Sequence, residues 1–462
     1  MASVAPTAAA RAGWVVDQQF LWLVTILFVV GYSLPSLPSG LVFPSQQRLE
    51  LADDPLSGGG VSFLEMWLPI ISLSSWVVLR RYRLLIAILP SINQMLLLLL
   101  TWILLTSLWA PHPAATMRQA FSIIGVTVLS LAFVLASWHR KRFMGLLLPV
   151  TTALLVASLF VGLFVPAIGI QPEDAFELAG SWRGISYQKN GLGQLAAVGA
   201  ILWAHVCVTG SSTRPRLAYA GLGLSFLLII LSRSSTSLAL SIISIGVMVL
   251  VLRPPVRFNG RGGQIWLGFG VVVLASMLLY LMFIGTLSYD AIATPVASIF
   301  GKDATFSGRT LIWTELFSQI GKHPLLGIGF NSFWGASPDS PSAETIRRLQ
   351  WRAPSGHNGY IDMINEIGLI GFVIFIGFLV FHFGALKRLA KFDRPAYGLH
   401  LTLIVYVILA NLTETGWFHP ILLTHVIAMY SSAEISRRLF EYQWRPVDRW
   451  VDSNRLGRPT GR

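Results

Sequence analysis

The chain has 462 residues, 54% of them hydrophobic and only 12% charged, with 16 Trp and 27 Phe. A soluble domain is usually about 25% charged, and many apolar runs here approach the ~20 residues that cross a bilayer, so the composition excludes an ordinary soluble enzyme. The formal charge of +13 would suit a nucleic-acid binder only if the cations formed one stripe, so their placement decides.

Twelve apolar spans are predicted in chain order, at about 19–35, 61–79, 86–109, 119–137, 144–168, 190–209, 217–232, 235–252, 264–285, 362–384, 397–411 and 420–436. Span one follows "MASVAPTAAARAG" and precedes Pro-containing text without a small-x-small cleavage site. It reads as a retained signal anchor. The single cysteine, Cys207, falls inside span six. It supports no disulfide framework or cysteine metal site and is expected in the core.

With the N-terminus in the cytoplasm, the cytoplasmic segments hold "RRYR", "HRKR", "STRPR", "RPPVRFNGR", "KRLAKFDR" and seven arginines from Arg437 onward. That distribution gives 23 Lys+Arg inside and 11 outside, six of the 11 in one long loop exempt from the positive-inside rule. Both ends are therefore expected inside, with the surplus cations as membrane anchors. The expected fold is an all-α polytopic membrane protein of about 12 transmembrane helices. Its parts are a cytoplasmic tail (1–18), helices one to nine (19–285), a long extracytoplasmic loop with short helices (286–361), helices ten to twelve (362–436) and a basic cytoplasmic tail (437–462).

A loop this long is usually functional when it is not disordered. Within it, "SGRTLIWTELFSQIGKHP" spaces Trp313, Leu316, Phe317 and Ile320 as one helical face, with Ser307 as N-cap and Gly321 and Pro324 as the stop. The apolar face is expected to rest on the membrane or on the tops of other spans. Arg309 then lies in the first turn, where the helix dipole disfavours a cation. It either cradles phosphate with the free N–H groups or snorkels to lipid headgroups. Arg233, in "LSRSSTSLAL" between spans seven and eight, faces either a wet interior or the headgroups. Arg183 and Lys189, in "SWRGISYQKNGLG", read by position as solvated loop charges on the same outer side.

The densest polar text is "APSGHNGYIDMINEIGLIGF". Asn358, Asp362, Asn365 and Glu366 recur at i, i+4, i+7 and i+8, a stripe on span ten that must face other spans. His357 sits at its mouth, as a polar loop residue or a catalytic one. Glu414 and His419, in "NLTETGWFHP" between the last two spans, return a carboxylate and an imidazole to that face. Neither zinc-type His spacing nor an Asp-rich metal loop occurs, which favours metal-free chemistry.

"FSGRTLIWTELFSQIGKHPLLGIGFNSF", followed by "HNGYIDMINEIGLIGF", resembles the O-antigen ligase and Wzy-type polymerase superfamily, most closely its exopolysaccharide polymerase branch. "WRGISYQKNGLGQ", "LSRSSTSLAL" and "LTET" resemble further elements of that family, in family order over about residues 100–420. The resemblance implies an inverting, metal-independent glycosyltransferase that takes glycan from undecaprenyl pyrophosphate and passes it to an acceptor sugar outside the cytoplasmic membrane. By motif, the family's two arginines and histidine fall on Arg233, Arg309 and His357. The candidate substrate-binding set is Arg183, Lys189, Asn190, Asn358, Asp362 and Glu414. Cations would receive the charge developing on the pyrophosphate leaving group, and neutral imidazole would take the acceptor's proton. The stripe behind His357 would orient the imidazole or the acceptor sugar.

The implied partners are the lipid-linked donor, the glycan acceptor and the bilayer, with a chain-length regulator as a candidate. No cofactor, metal or nucleic acid is expected. A ligase of the same family is the alternative reading. A twelve-span secondary transporter is a remote one, disfavoured because no half-repeat is visible and the charges gather at one surface, not the midplane.

Overall fold

The computed structural model describes residues 18–33, 61–136, 142–172, 179–186, 188–253, 309–334, 340–349, 353, 355–419 and 422–456. Predicted span nine, the first part of the long loop and Ser307 lie outside these residues. The described helices are α1 (Gln18–Ser33), α2 (Val61–Arg80), α3 (Tyr82–Ile88), α4 (Gln94–Leu105), α5 (Pro113–Ala136), α6 (Arg142–Phe164), α7 (Pro166–Gly169) and α8 (Lys189–Thr209). They continue with α9 (Pro215–Leu231), α10 (Ser235–Leu252), α11 (Arg309–Ile320), α12 (Ala343–Leu349), α13 (Gly359–Leu389), α14 (Arg394–Ala410) and α15 (Leu423–Leu456). Among the described residues the one β feature is an isolated antiparallel bridge between Ile170 and Trp182.

Five of these helices, α5, α6, α8, α10 and α13, are long and apolar enough to cross a membrane. A sixth crossing is made if a bent pair counts as one span, and three shorter apolar stretches lie in α2, α9 and α14. The chain is thus a helical polytopic membrane protein. The span predicted at about 86–109 is bent: Tyr82–Ser91 and Gln94–Leu108 meet at 104°. Pro90 has no N–H to continue a ladder. Asn93 starts the next helix by accepting from the Leu96 N–H at 3.3 Å, and its amide donates to the Phe378 carbonyl of α13 at 3.0 Å.

The centre of the bundle is α8, buried along nearly its whole length. Small residues allow this, because helices without bulky side chains can approach closely in a membrane. A Cβ at Gly193 would lie 2.8 Å from the Ser234 Cβ, and one at Gly199 2.6 Å from Leu155. Cys207 is half-buried, beside Trp203 and Val206 near the far end of this helix. Arg253 reaches the same end and donates to the Val208 carbonyl at 3.0 Å. Asn190 marks the opposite end, about 27 Å away at 1.5 Å per residue, close to one hydrocarbon thickness.

Helix α13 would be roughly 46 Å long if continuous, more than a bilayer core requires. It is broken at Gly368, whose φ is 68°. The segment 324–329 enters the break: Ile328 and Gly329 donate to the Asn365 and Glu366 carbonyls at 2.9 Å each, and Leu369 donates to the Pro324 carbonyl at 2.9 Å. Trp102 Nε1 donates to the Ile367 carbonyl at 3.0 Å. Irregular backbone of this kind is tolerated only where protein satisfies its polar groups. A Cβ at Gly327 would lie 2.4 Å from the Glu366 oxygen, and one at Gly368 2.2 Å from the Leu325 oxygen, so both crossing positions require glycine. Beyond the break, Leu369, Ile370, Val373, Ile376, Val380 and Phe383 are exposed apolar residues at helical spacing. The part of α13 built for lipid is therefore 369–389, about 31 Å long.

Helix α15 passes the predicted end of span twelve and continues to Leu456. Arg437 and Arg438, expected in the basic tail, are packed into the bundle instead. Arg437 is 1% exposed and pairs with Glu434 at 2.7 Å; Arg438 pairs with Glu434 at 2.7 Å and Asp393 at 2.5 Å. Charges at this depth are held only by such pairing.

Candidate functional site

Helix α11 forms as its spacing predicts, but its packed face consists of Ile312, Trp313 and Leu316, while Phe317 is exposed. The face rests on the rest of the protein. Trp313 Nε1 donates to the Gly356 carbonyl at 2.8 Å, tying α11 to the loop that carries His357. Arg309 is the first residue of α11. At the start of α13, Asn358 is the N-cap, its side-chain oxygen accepting from Tyr360 and Ile361 N–H at 3.0 and 3.2 Å. This satisfies helix donors that would otherwise be buried without partners. Its amide donates to the Leu412 carbonyl, so Asn358 is buried and engaged structurally.

These elements converge on Glu414, in the α14–α15 turn. Arg309 Nη2 lies 3.2 Å from its Oε1, and the Asn190 amide donates to the same oxygen at 3.0 Å. Its Oε2 is 3.3 Å from His357 Nδ1. The side chains of Arg309, His357 and Glu414 are 20%, 27% and 22% exposed, so the group is neither sealed nor fully solvated. Beside it a narrow cleft is lined by Asn190, Gln194, Ser234, Ser237, Thr413 and Glu414 among others. The turn around Arg233 thus contributes its serines to the cleft.

A carboxylate only accepts, so an Nδ1–H on His357 makes the contact with Glu414 and leaves the lone pair on Nε2. This is the tautomer a general base needs, with a carboxylate placed to steady the cation formed when the proton is taken. One contact engages part of the Arg309 guanidinium, whose fork carries five donors in all. His357 itself has φ 48°, a left-handed conformation uncommon for a residue with a side chain.

Other predicted site residues stand elsewhere. Arg233 is exposed at φ 51°, and its Nη1 donates to the Ala179 carbonyl at 3.3 Å. Arg183 Nε donates to the Ile168 carbonyl at 2.7 Å, so both guanidiniums serve the turn bridged at Ile170 and Trp182. Lys189 opens α8, one residue before Asn190. Asp362 is buried and accepts from Trp334, Gly356 and Thr415. Asn365 is buried on the same half-helix. His419 is not among the partners of Glu414 in the described residues. The Ser234, Ser237 and Thr413 hydroxyls lay within motifs already visible in the sequence. Trp313 and Trp334, by contrast, carry no periodic signal for the bonds they make.

Residues 220–376 match the family model described as O-antigen ligase, which places this segment in the O-antigen ligase and Wzy-type superfamily. The match covers Arg233, Arg309 and His357, whereas Asn190 and Glu414 lie outside it. Among curated proteins, the exopolysaccharide production protein ExoQ of Rhizobium meliloti (strain 1021) is 33% identical to the chain over 103 residues. That alignment spans 21% of this chain and 23% of the relative. The family-model match supports the resemblance to the superfamily, and the ExoQ match supports its exopolysaccharide branch.

Proposed function

We propose that the chain is a polysaccharide polymerase: an inverting, metal-independent glycosyltransferase that joins undecaprenyl-pyrophosphate-linked repeat units at the outer face of the cytoplasmic membrane. The observation that carries this reading is the convergence of His357, Arg309 and Asn190 on Glu414. The acceptor hydroxyl oxygen attacks the anomeric carbon and its proton passes to His357 Nε2. The bond from that carbon to the pyrophosphate oxygen breaks, and the electron pair leaves with the phosphate. Glu414 steadies the imidazolium. Arg309 meets the charge gathering on the leaving group, the kind of preorganised electrostatic contact that lowers such barriers. Arg233, whose neighbour Ser234 lines the cleft, and Arg183 on the same turn are assigned to the donor's phosphates.

A ligase reading is favoured by the description of the matched family model. In that case the same groups transfer finished polymer from undecaprenyl pyrophosphate to a lipid A-core or protein acceptor. Gel analysis of surface glycan after deletion separates the two. Loss of long polymer with single lipid-linked units remaining means polymerase; intact polymer stranded on the carrier means ligase. The face of action is tested by reporter fusions active only outside the cytoplasm, which should work at Ser340 and fail after Lys391. The reverse pattern would overturn the orientation.

A further inference from the structure

The Asp362 carboxylate touches the residue next to each member of the His357–Glu414 pair. Its Oδ2 accepts from the Gly356 N–H at 2.9 Å and from the Thr415 hydroxyl at 2.5 Å. Its Oδ1 accepts from Trp334 Nε1 at 3.0 Å and from the same Gly356 N–H at 3.1 Å. Gly356 immediately precedes His357, and Thr415 immediately follows Glu414. We propose that Asp362 is a positioning residue that sets the His357–Glu414 geometry by clamping both loops to the first turn of α13.

Three observations support this role. The side chain is 3% exposed and both oxygens are occupied, so no face is left for a sugar. A buried carboxylate persists when charge-assisted donors replace water, and here Trp334, Gly356 just upstream and the distant Thr415 supply them. Gly356 is shaped for the contact, because a Cβ there would lie 2.6 Å from Asp362 Oδ1. Finally, His357 keeps a left-handed backbone, which survives only when its surroundings over-determine it. Asp362 and Trp313 hold the peptide groups of Gly356 on one side. The Asn358 cap and the Gly359 N–H bond to the Asn411 carbonyl, 2.9 Å, hold the other. Asn411 also binds the turn beyond Glu414, its Oδ1 accepting from Gly416 and Trp417 N–H at 2.8 and 2.6 Å. The pair therefore stands between two clamps, and Asp362 is the one that spans both loops through a side chain.

This inference rests on His357 being the base, and it replaces substrate binding as the role of Asp362. The test uses purified variants in liposomes with a lipid-linked repeat-unit donor. Misplacing a reacting group by about 1 Å can cost about 10²-fold in rate. Asp362→Asn should therefore lower kcat by about that factor with KM unchanged. In a Glu414→Gln background the same substitution should cost little more, because groups acting as a unit are not additive. A raised KM with kcat preserved, or losses that multiply, would overturn the proposal. Should Asp362→Asn fail to reach the membrane, Thr415→Val, which removes one hydroxyl, is judged by the same two criteria with a smaller loss. An inactive His357→Ala combined with multiplying losses sinks the clamp alone. Wild-type turnover by His357→Ala removes the base, and the clamp's purpose with it.

Discussion

Two glutamates, Glu414 and Glu434, hold arginine at opposite ends of this protein, and the contrast between them separates a site from a strut. Glu434 is buried, and its partners Arg437 and Arg438 come from the next turn of its own helix, with Asp393 closing the network. Most of that network lies within one helix, and Asp393 reaches it from the start of α14. Glu414 draws Arg309, His357 and Asn190 from three segments far apart in sequence, remains about one-fifth exposed and borders a cleft. The pairing chemistry is alike. What differs is access, sequence distance and the presence of a group that can take a proton.

That contrast can be broken at several points. If the cluster around Glu414 is catalytic, His357→Ala should insert normally yet lose roughly 10²–10⁴ in rate. It should accumulate lipid-linked units, measured as polymer per enzyme in liposomes, while His139→Ala polymerises normally. Arg309→Ala and Arg309→Lys should each lose about 10²–10³, since lysine keeps the charge but not the guanidinium fork. Normal polymerisation by both, at equal protein in the membrane, would remove the phosphate role.

At the other end, Glu434→Gln removes the carboxylate shared by the buried Arg437 and the partly buried Arg438. Breaking a buried pair costs about 3–5 kcal/mol. Less protein and a lower thermal midpoint are expected, with turnover per folded molecule preserved. A fall in turnover without instability would make the Glu434 cluster a site too. The smallest effect belongs to Arg348, which pairs with Glu315 and Glu344 on the open surface. Arg348→Ala should leave both midpoint and rate unchanged, as exposed ion pairs contribute little.

Much of the Glu414 cluster was legible because its chemistry is expensive in an apolar chain. Arginine in a first helical turn, a polar stripe on a span and a carboxylate in a tight turn each break a local rule. The pairing of His357 with Glu414 was not legible, since 57 residues separate them and only tertiary packing sets the distance. Nor was the sharing of labour within the stripe. Asn358 became a cap and Asp362 a clamp, although their spacing alone makes them equivalent. The sequence reading assigned Arg437 and Arg438 to a tail because tails are basic. It could not see Asp393, the N-cap of α14, arriving to meet Arg438. The bend at Pro90 was hidden by apolar residues on both sides, for hydrophobicity registers burial more readily than direction.

The interlock at Gly368 has a consequence for biogenesis. During synthesis the Pro324–Gly329 segment leaves the ribosome before α13, and its N–H groups meet the Asn365 and Glu366 carbonyls only once that helix has arrived. An insertion machine that weighs apolarity meets "IGLIGFVIFIGFLV" as one unbroken run. The break is therefore imposed afterwards, when the earlier strand of loop threads its glycine against Gly368. A chain in which that closure had not occurred would leave the Asn365 and Glu366 carbonyls without these partners beside the head of α13.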